Sequence, residues 1–272
     1  MLLIYILLFV LFCAGAFAMH AAPAVWHAGL WIFGGFALLN VLYVLFWVAV
    51  ASTVDDEKPL EKPNRLCCFG CRNIPRWLCF WFRVRVHLTG EELLPEEGRF
   101  VMVSNHRSGF DPLTVEAALG KRGLAFISKP SNLKIPFVGK LGYGACFLPI
   151  DRENDRKALR TILTAVDYIK KDFCSIVIYP EGTRSRTGEL LPFHAGSFKI
   201  AQKANVPLVI ACTSGSEQVM HNCLLRTTPV ELRILEVLPA EKVKATHTQE
   251  LAAYSRGLME AALNGERSEA SA

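Results

Sequence analysis

The chain has 272 residues, 51% of them hydrophobic and 20% charged, with a formal net charge of +5. This composition excludes a disordered chain, and the length fits one large domain with an appendage or two small domains. Residues 1–54 contain no Asp, Glu, Lys or Arg. That segregation argues against a wholly soluble protein, and the lack of any later run of about 20 apolar residues excludes a multi-span transporter.

Two apolar runs open the chain, Met1 to Met19 and Gly29 to Val50, joined by an uncharged connector holding Pro23. Each reaches the length of a spanning helix, so residues 1–54 are expected to form a membrane helical hairpin with both ends on one side. Ala16-Phe17-Ala18 resembles a signal-peptidase site, but no basic residue precedes the first run. Gly34, Gly35 and Asn40 leave open a hairpin that dips into one leaflet without crossing. From Lys58 to Arg85 seven basic residues face a single acid, Glu61. Such an excess suits an anionic bilayer surface and places the rest of the chain on the cytoplasmic face; no nucleic-acid-binding motif accompanies it. Residues 55–90 are therefore read as a basic, aromatic juxtamembrane segment. Its stretch from Ile74 to Arg85 interleaves Trp and Phe with Arg, as headgroup-level segments do; the alternative is a core strand or helix with exposed arginines. The nine cysteines are odd in number and often sit in apolar runs, which suits reduced thiols. Cys67, Cys68, Cys71 and Cys79 lack the second spaced pair that a zinc site needs.

Residues 91–265 alternate strand-like and helix-like pieces. Strands are predicted at Phe100–Ser104, Ala125–Ser128, Cys146–Ile150, Ser175–Tyr179, Pro207–Ala211 and Val230–Val237. Helices are predicted at Pro112–Leu119, with Asp111 as N-cap and Gly120 past the end, and at Asp155–Lys171, Ser197–Ala204 and Thr246–Leu263. Thr246 and Gln249 have the spacing of a capping box. Residues 266–272 are a polar tail expected to fray. This alternation implies an α/β fold with a central, largely parallel or mixed sheet flanked by helices. In such sheets sites gather at the carboxyl ends of strands.

Three motifs sit there. Asn105-His106-Arg107-Ser108-Gly109-Phe110-Asp111 follows one strand and enters a helix. A loop histidine can act as general base, and a carboxylate five residues on can turn back to orient it. Alone this is weak, because Asp111 also reads as a helix cap. Tyr179-Pro180-Glu181-Gly182-Thr183-Arg184 follows a second strand. Gly182 allows close backbone approach, Thr183 supplies a hydroxyl, and Arg184 offers a planar fork for a phosphate. Arg152 ends a third, after Phe147-Leu148-Pro149-Ile150-Asp151. No Gly-x-Ser-x-Gly occurs, which disfavours a serine lipase.

Together the motifs resemble the glycerolipid acyltransferase family, and within it the 1-acyl-glycerol-3-phosphate acyltransferases. The resemblance runs from Phe100 to Ala211. His106 and Asp111 match the family's His-x4-Asp catalytic pair, Arg152 its second-block arginine, and Glu181, Gly182, Thr183 and Arg184 its Glu-Gly-Thr-Arg block. Phe193 to Lys199 looks like the Phe-x-x-Gly stretch that follows, and Lys129 resembles a lysine often found between the first two blocks. Val206-Pro207-Leu208-Val209-Ile210 departs from the family's Val-Pro-Ile-Val-Pro by lacking the second proline. The resemblance implies that residues 91–265 form a membrane-bound acyltransferase domain. It would carry a fatty acyl group from acyl-CoA or acyl-carrier protein to the sn-2 hydroxyl of lysophosphatidic acid, giving phosphatidic acid. It implies His106 as base, Asp111 as its orienter, and Arg152, Arg184, Glu181, Gly182, Thr183 and Lys129 as substrate-binding. A developing oxyanion needs donors, for which backbone amides near Gly182 are the candidates. No metal or cofactor is implied. The altered fourth block leaves open another lysophospholipid or an amino-acid lipid as acceptor, and a non-catalytic lipid-binding protein is the reading from another class.

Overall fold

The computed structural model describes residues 2–20, 22–56, 60–151, 154–185, 187–222 and 226–271. Helices α1 (Leu2–Ala18) and α2 (Pro23–Ser52) come first. Phe12 faces Trp26 and Phe33, and Phe9 faces Phe33, so the two helices run antiparallel. At 30 residues, α2 is long and apolar enough to cross a bilayer. The first run closes as only 17 helical residues, at the lower limit for spanning.

Helix α3 (Arg65–Trp81) begins at Asn64, whose side chain accepts from the Leu66 and Cys67 amides. Its aromatic residues clasp α2: Trp77 lies against Tyr43, Trp81 against Phe36 and Phe69 against Trp47. The Trp77 indole also donates to Asn40 Oδ1. The interleaved Trp and Arg of this region thus divide their work, with rings turned to α2 and Arg76 donating to the Ala117 carbonyl.

There follow β1 (Val84–Thr89), β2 (Val101–Ser104), α4 (Asp111–Leu119), β3 (Leu124–Ser128), α5 (Val138–Gly144), β4 (Leu148–Pro149) and α6 (Asp155–Lys170). The chain continues with β5 (Ser175–Ile178), α7 (Lys199–Ala204), β6 (Leu208–Ser214), α8 (Val219–Asn222), β7 (Thr228–Leu238), α9 (Ala240–Ala245) and α10 (Thr248–Ser271). Seven strands form one mixed sheet in the order β1-β7-β6-β2-β5-β3-β4. Neighbours from β6 to β4 pair in parallel, β7 is antiparallel to β6, and β1 is parallel to β7.

Both faces of the sheet are covered, which is why its central strands are continuous apolar runs rather than alternating ones. One face carries Val101, Val103, Ile176, Ile178, Leu208 and Ile210 and packs on α6, α7, α9 and α10. The other carries Met102, Phe126, Val177, Tyr179, Val209 and Ala211 and packs on α4. A further cluster joins the end of α2 (Trp47, Val50, Ala51, with Val54) to Cys67, Leu141 and Ala145.

The structure departs from sequence expectations in several places. Strand β1 was not apparent, because Val84, Val86 and Leu88 alternate with Arg, His and Thr in a segment dominated by its aromatic approach. The run Cys146–Ile150 is strand only at Leu148–Pro149, since Cys146 has φ +71 and turns the chain. Asp111 is the first helical residue rather than the N-cap, which is Phe110. Gly120 continues into a 3₁₀ turn, and Gly123, at φ +66, ends it. The capping box does not form: the Thr246 hydroxyl donates back to the Lys242 carbonyl and α10 starts at Thr248. Helix α10 runs to Ser271, beyond the predicted end at Leu263.

Candidate active site

Three parallel neighbours, β6, β2 and β5, end side by side, and the loops leaving their carboxyl ends meet. The loop after β2 is tied to the end of β6 by Asn105, whose side chain donates to the Thr213 carbonyl at 2.9 Å and accepts the Thr213 amide at 2.7 Å. This double bond to a neighbouring strand fixes where the next residue, His106, leaves the sheet.

Asp111 is fully buried. Its Oδ2 accepts the Arg107 and Ser108 amides at 2.7 Å each and meets His106 Nδ1 at 2.8 Å. Its Oδ1 accepts the hydroxyl of Ser216. A carboxylate already serving as acceptor to three other donors requires the imidazole to donate, so the proton sits on Nδ1 and the Nε2 lone pair is left for chemistry. The His106 ring stacks on Tyr179, centroids 4.4 Å apart. The side chain is 18% exposed, enough for a substrate hydroxyl to reach.

Glu181 holds the loop from the other side. Oε1 accepts the His106 amide at 2.6 Å, and Oε2 accepts the Leu191 amide at 2.9 Å. Burial pushes its carboxyl up, partly offset by those two amides and by His106 and Arg107. Both Glu181 oxygens accept main-chain amides and the residue is 3% exposed, so its carboxylate braces the loop that carries His106. The Ser185 amide donates to the His106 carbonyl at 2.8 Å, closing the frame.

Gly182 adopts φ +78, a conformation that a side chain would strain, and turns the chain after β5. Its amide donates to the Tyr179 carbonyl at 3.1 Å, so it is not the free oxyanion donor expected near this residue. Thr183 and Arg184 are exposed beyond the turn. An Arg184 guanidinium nitrogen lies 3.6 Å from where a Cβ on Gly109 would stand, which brings it to the loop that carries His106. Lys129 is exposed just past β3, one strand beyond β5. Arg152 follows β4 and lies outside the described residues. The structure thus brings together His106, Asp111, Glu181, Gly182 and Arg184, with Thr183 on the same turn and Lys129 further along the row of strand ends.

Three residues were overlooked in the sequence. Asn105 and Tyr179 lie inside the motifs, but nothing local marks their roles. Ser216 follows β6, and its only signal was position, a polar residue just past a strand end. The missing fourth-block proline concerns Ile210, which is fully buried in the face packed on α6, α7, α9 and α10 and pairs with Val103. The register shift between β6 and β7 falls at that point. The difference therefore lies within a central strand of the sheet. Among the described residues no three His, Cys, Asp or Glu side chains are gathered to hold a metal ion.

The acyltransferase family profile matches residues 85–214. The chain is 35% identical over 223 residues to a 1-acyl-sn-glycerol-3-phosphate acyltransferase of Salmonella typhimurium, covering 82% of this chain and 89% of that relative. The protein of the same name from Escherichia coli is 34% identical with the same coverage. The fold matches the crystal structure of the 1-acyl-sn-glycerophosphate acyltransferase PlsC from Thermotoga maritima. The TM-score is 0.61 at 21% identity, over 96% of this chain and 95% of that one.

Proposed function

Because this chain belongs to the acyltransferase family of its 1-acyl-sn-glycerol-3-phosphate acyltransferase relatives, we propose that it acylates the sn-2 hydroxyl of lysophosphatidic acid and releases phosphatidic acid. The observation that carries the chemistry is the His106–Asp111 pair, with Nδ1 committed to the buried carboxylate and Nε2 left open. The acceptor hydroxyl bonds to Nε2. As its oxygen attacks the carbonyl carbon of an acyl thioester, Nε2 takes the proton. Asp111 stabilises the resulting imidazolium without itself accepting the proton. When the tetrahedral intermediate collapses, the C–S bond breaks and the leaving thiolate recovers that proton. An ester and a free thiol result, with no covalent acyl-enzyme, so both substrates occupy the site at once.

The donor in this reading is acyl-CoA or acyl-carrier protein, and no cofactor takes part. Arg184, together with Arg152 and Lys129, holds the acceptor phosphate, with Gly182 and Thr183 shaping that side. The hairpin of residues 1–54 anchors the protein in the bilayer, where the acceptor resides, and the basic residues that follow favour the cytoplasmic face.

The test is acyl transfer by detergent-solubilised protein. Labelled acyl-CoA and acyl-carrier protein are offered with lysophosphatidic acid and with a panel of other lysolipids. Wild type is expected to make phosphatidic acid, and His106→Ala to lose about 10³-fold in kcat. Transfer only to another lysolipid would move the acceptor and keep the chemistry. Equal rates in wild type and His106→Ala would remove the base.

A further inference from the structure

The segment between β3 and β4 carries a feature that the reaction does not use. Lys134, Ile135, Pro136, Phe137 and Val138 are five consecutive exposed residues, with Ile135 48%, Phe137 37% and Val138 46% exposed. An uninterrupted exposed apolar run is unfavourable in water and marks a binding surface when the fold maintains it. The fold does maintain it. Phe137 is held at φ +51, where a bulky residue is strained. Gly139 packs so tightly that a Cβ there would lie 1.8 Å from the Leu133 carbonyl oxygen. The loop is pinned outward, not left loose.

Its surroundings indicate what it meets. Helix α5 begins at Val138 and is fastened to the end of α2, with Lys140 Nζ donating to the Val54 carbonyl at 3.3 Å and lying 3.5 Å from Asp56. The apolar tip is therefore contiguous with a helix fastened to the end of the long apolar helix. Lys134 adjoins it and Lys129 stands at its start, both exposed, the pattern of apolar residues beside lysines that suits an anionic lipid surface. The same segment leaves the Lys129 strand end, one strand beyond β5, and so starts at the edge of the row of strand ends that carries the site.

We infer that the loop 135–138 is a second bilayer-docking element, which seats this edge of the row of strand ends in an anionic lipid surface so that the acceptor enters without passing through water. This rests on the membrane reading above. The test uses the full chain in nanodiscs of phosphatidylethanolamine and labelled phosphatidylglycerol, with photoreactive p-benzoylphenylalanine at position 137, at Leu42 of α2, or at Leu163, an exposed apolar position on α6. Lipid cross-linking at 42 and 137 but not at 163 is expected. Cross-linking at 42 without 137, or equally at 137 and 163, overturns the inference and leaves the anchor in place; no cross-linking at 42 removes the membrane reading itself. A second measurement guards against indirect effects. The double substitution Ile135→Ser, Phe137→Ser is expected to slow acylation of bilayer-embedded lysophosphatidic acid at least tenfold. Turnover of a short-chain, monomeric lysophosphatidic acid is expected to stay within twofold. Equal loss with both acceptors, or loss with neither, overturns the docking role.

Discussion

Ser216 bonds to Asp111, and Tyr179 stacks on His106. The Ser216 hydroxyl is the one bond recorded to Asp111 Oδ1 among the described residues, and a hydrogen bond to a charged group contributes about 1.5–3 kcal/mol. If that bond matters most when His106 becomes charged, Ser216→Ala lowers kcat by about 10–100-fold with KM little changed. Steady-state kinetics on the purified variant checks this, and a change in KM alone would assign Ser216 to substrate binding instead. Tyr179 presents its ring to His106, while its buried hydroxyl has no hydrogen-bond partner among the described residues. Burial, then the Asp111 and Glu116 charges, hold that phenol well above its usual range, so it donates no proton at neutral pH. Tyr179→Phe should keep the stack and gain about 1 kcal/mol of stability by removing an unsatisfied polar group. A clear loss of activity in Tyr179→Phe would show instead that the hydroxyl, not the ring, is what His106 needs.

Helices α3 and α4 meet at a buried carboxyl. Glu116 on α4 is 4% exposed, and its Oε2 has no hydrogen-bond partner among the described residues. Burial raises its pKa from 4.5 to about 8, although Arg72 and Arg76 of α3 pull it down. A folded-state pKa above the unfolded one means that the folded protein binds the extra proton. The stabilisation is complete below about pH 4.5 and is lost as pH rises through about 8. Wild type should therefore lose stability relative to Glu116→Gln by on the order of 3 kcal/mol between pH 5 and pH 8. Unfolding both proteins in one detergent at the two pH values tests this; parallel curves would show that Glu116 is ionised throughout. The same helix α4 starts at Asp111, the partner of His106. Of the two helices the sequence shows Pro112 to Leu119 through its Pro and Gly boundaries, but not the pairing of Glu116 with α3, since nothing local links residues on separate elements.

At the scale of the whole molecule the apolar N-terminus is welded to the domain as well as appended to it. Trp47, Val50, Ala51 and Val54 are buried against Cys67, Leu141 and Ala145, whereas Phe12 of α1 packs on Trp26 and Phe33 of α2. Starting the chain at Pro23 should leave the domain's cooperative melt in detergent intact. Starting it at Asp55 removes that cluster and roughly 5 kcal/mol of burial, with aggregation on gel filtration as the expected result. Equal behaviour of the two truncations would mean that the cluster adds little.

The α/β fold, the apolar entry and the His106-x4-Asp111 and Glu181-Gly182-Thr183-Arg184 motifs were determined by the sequence alone, because each is written in neighbouring residues: runs of apolar side chains, Gly and Pro at turns, and a fixed spacing between His106 and Asp111. The tertiary structure decided the rest. Ser216 reaches Asp111 across 105 residues, and Glu181 reaches the His106 amide across 75. Both contacts exist because β6, β2 and β5 lie side by side in parallel. That order is set by how the strands bury their faces against α4 on one side and α6, α7 and α10 on the other, a property of the packed sheet that no local spacing encodes.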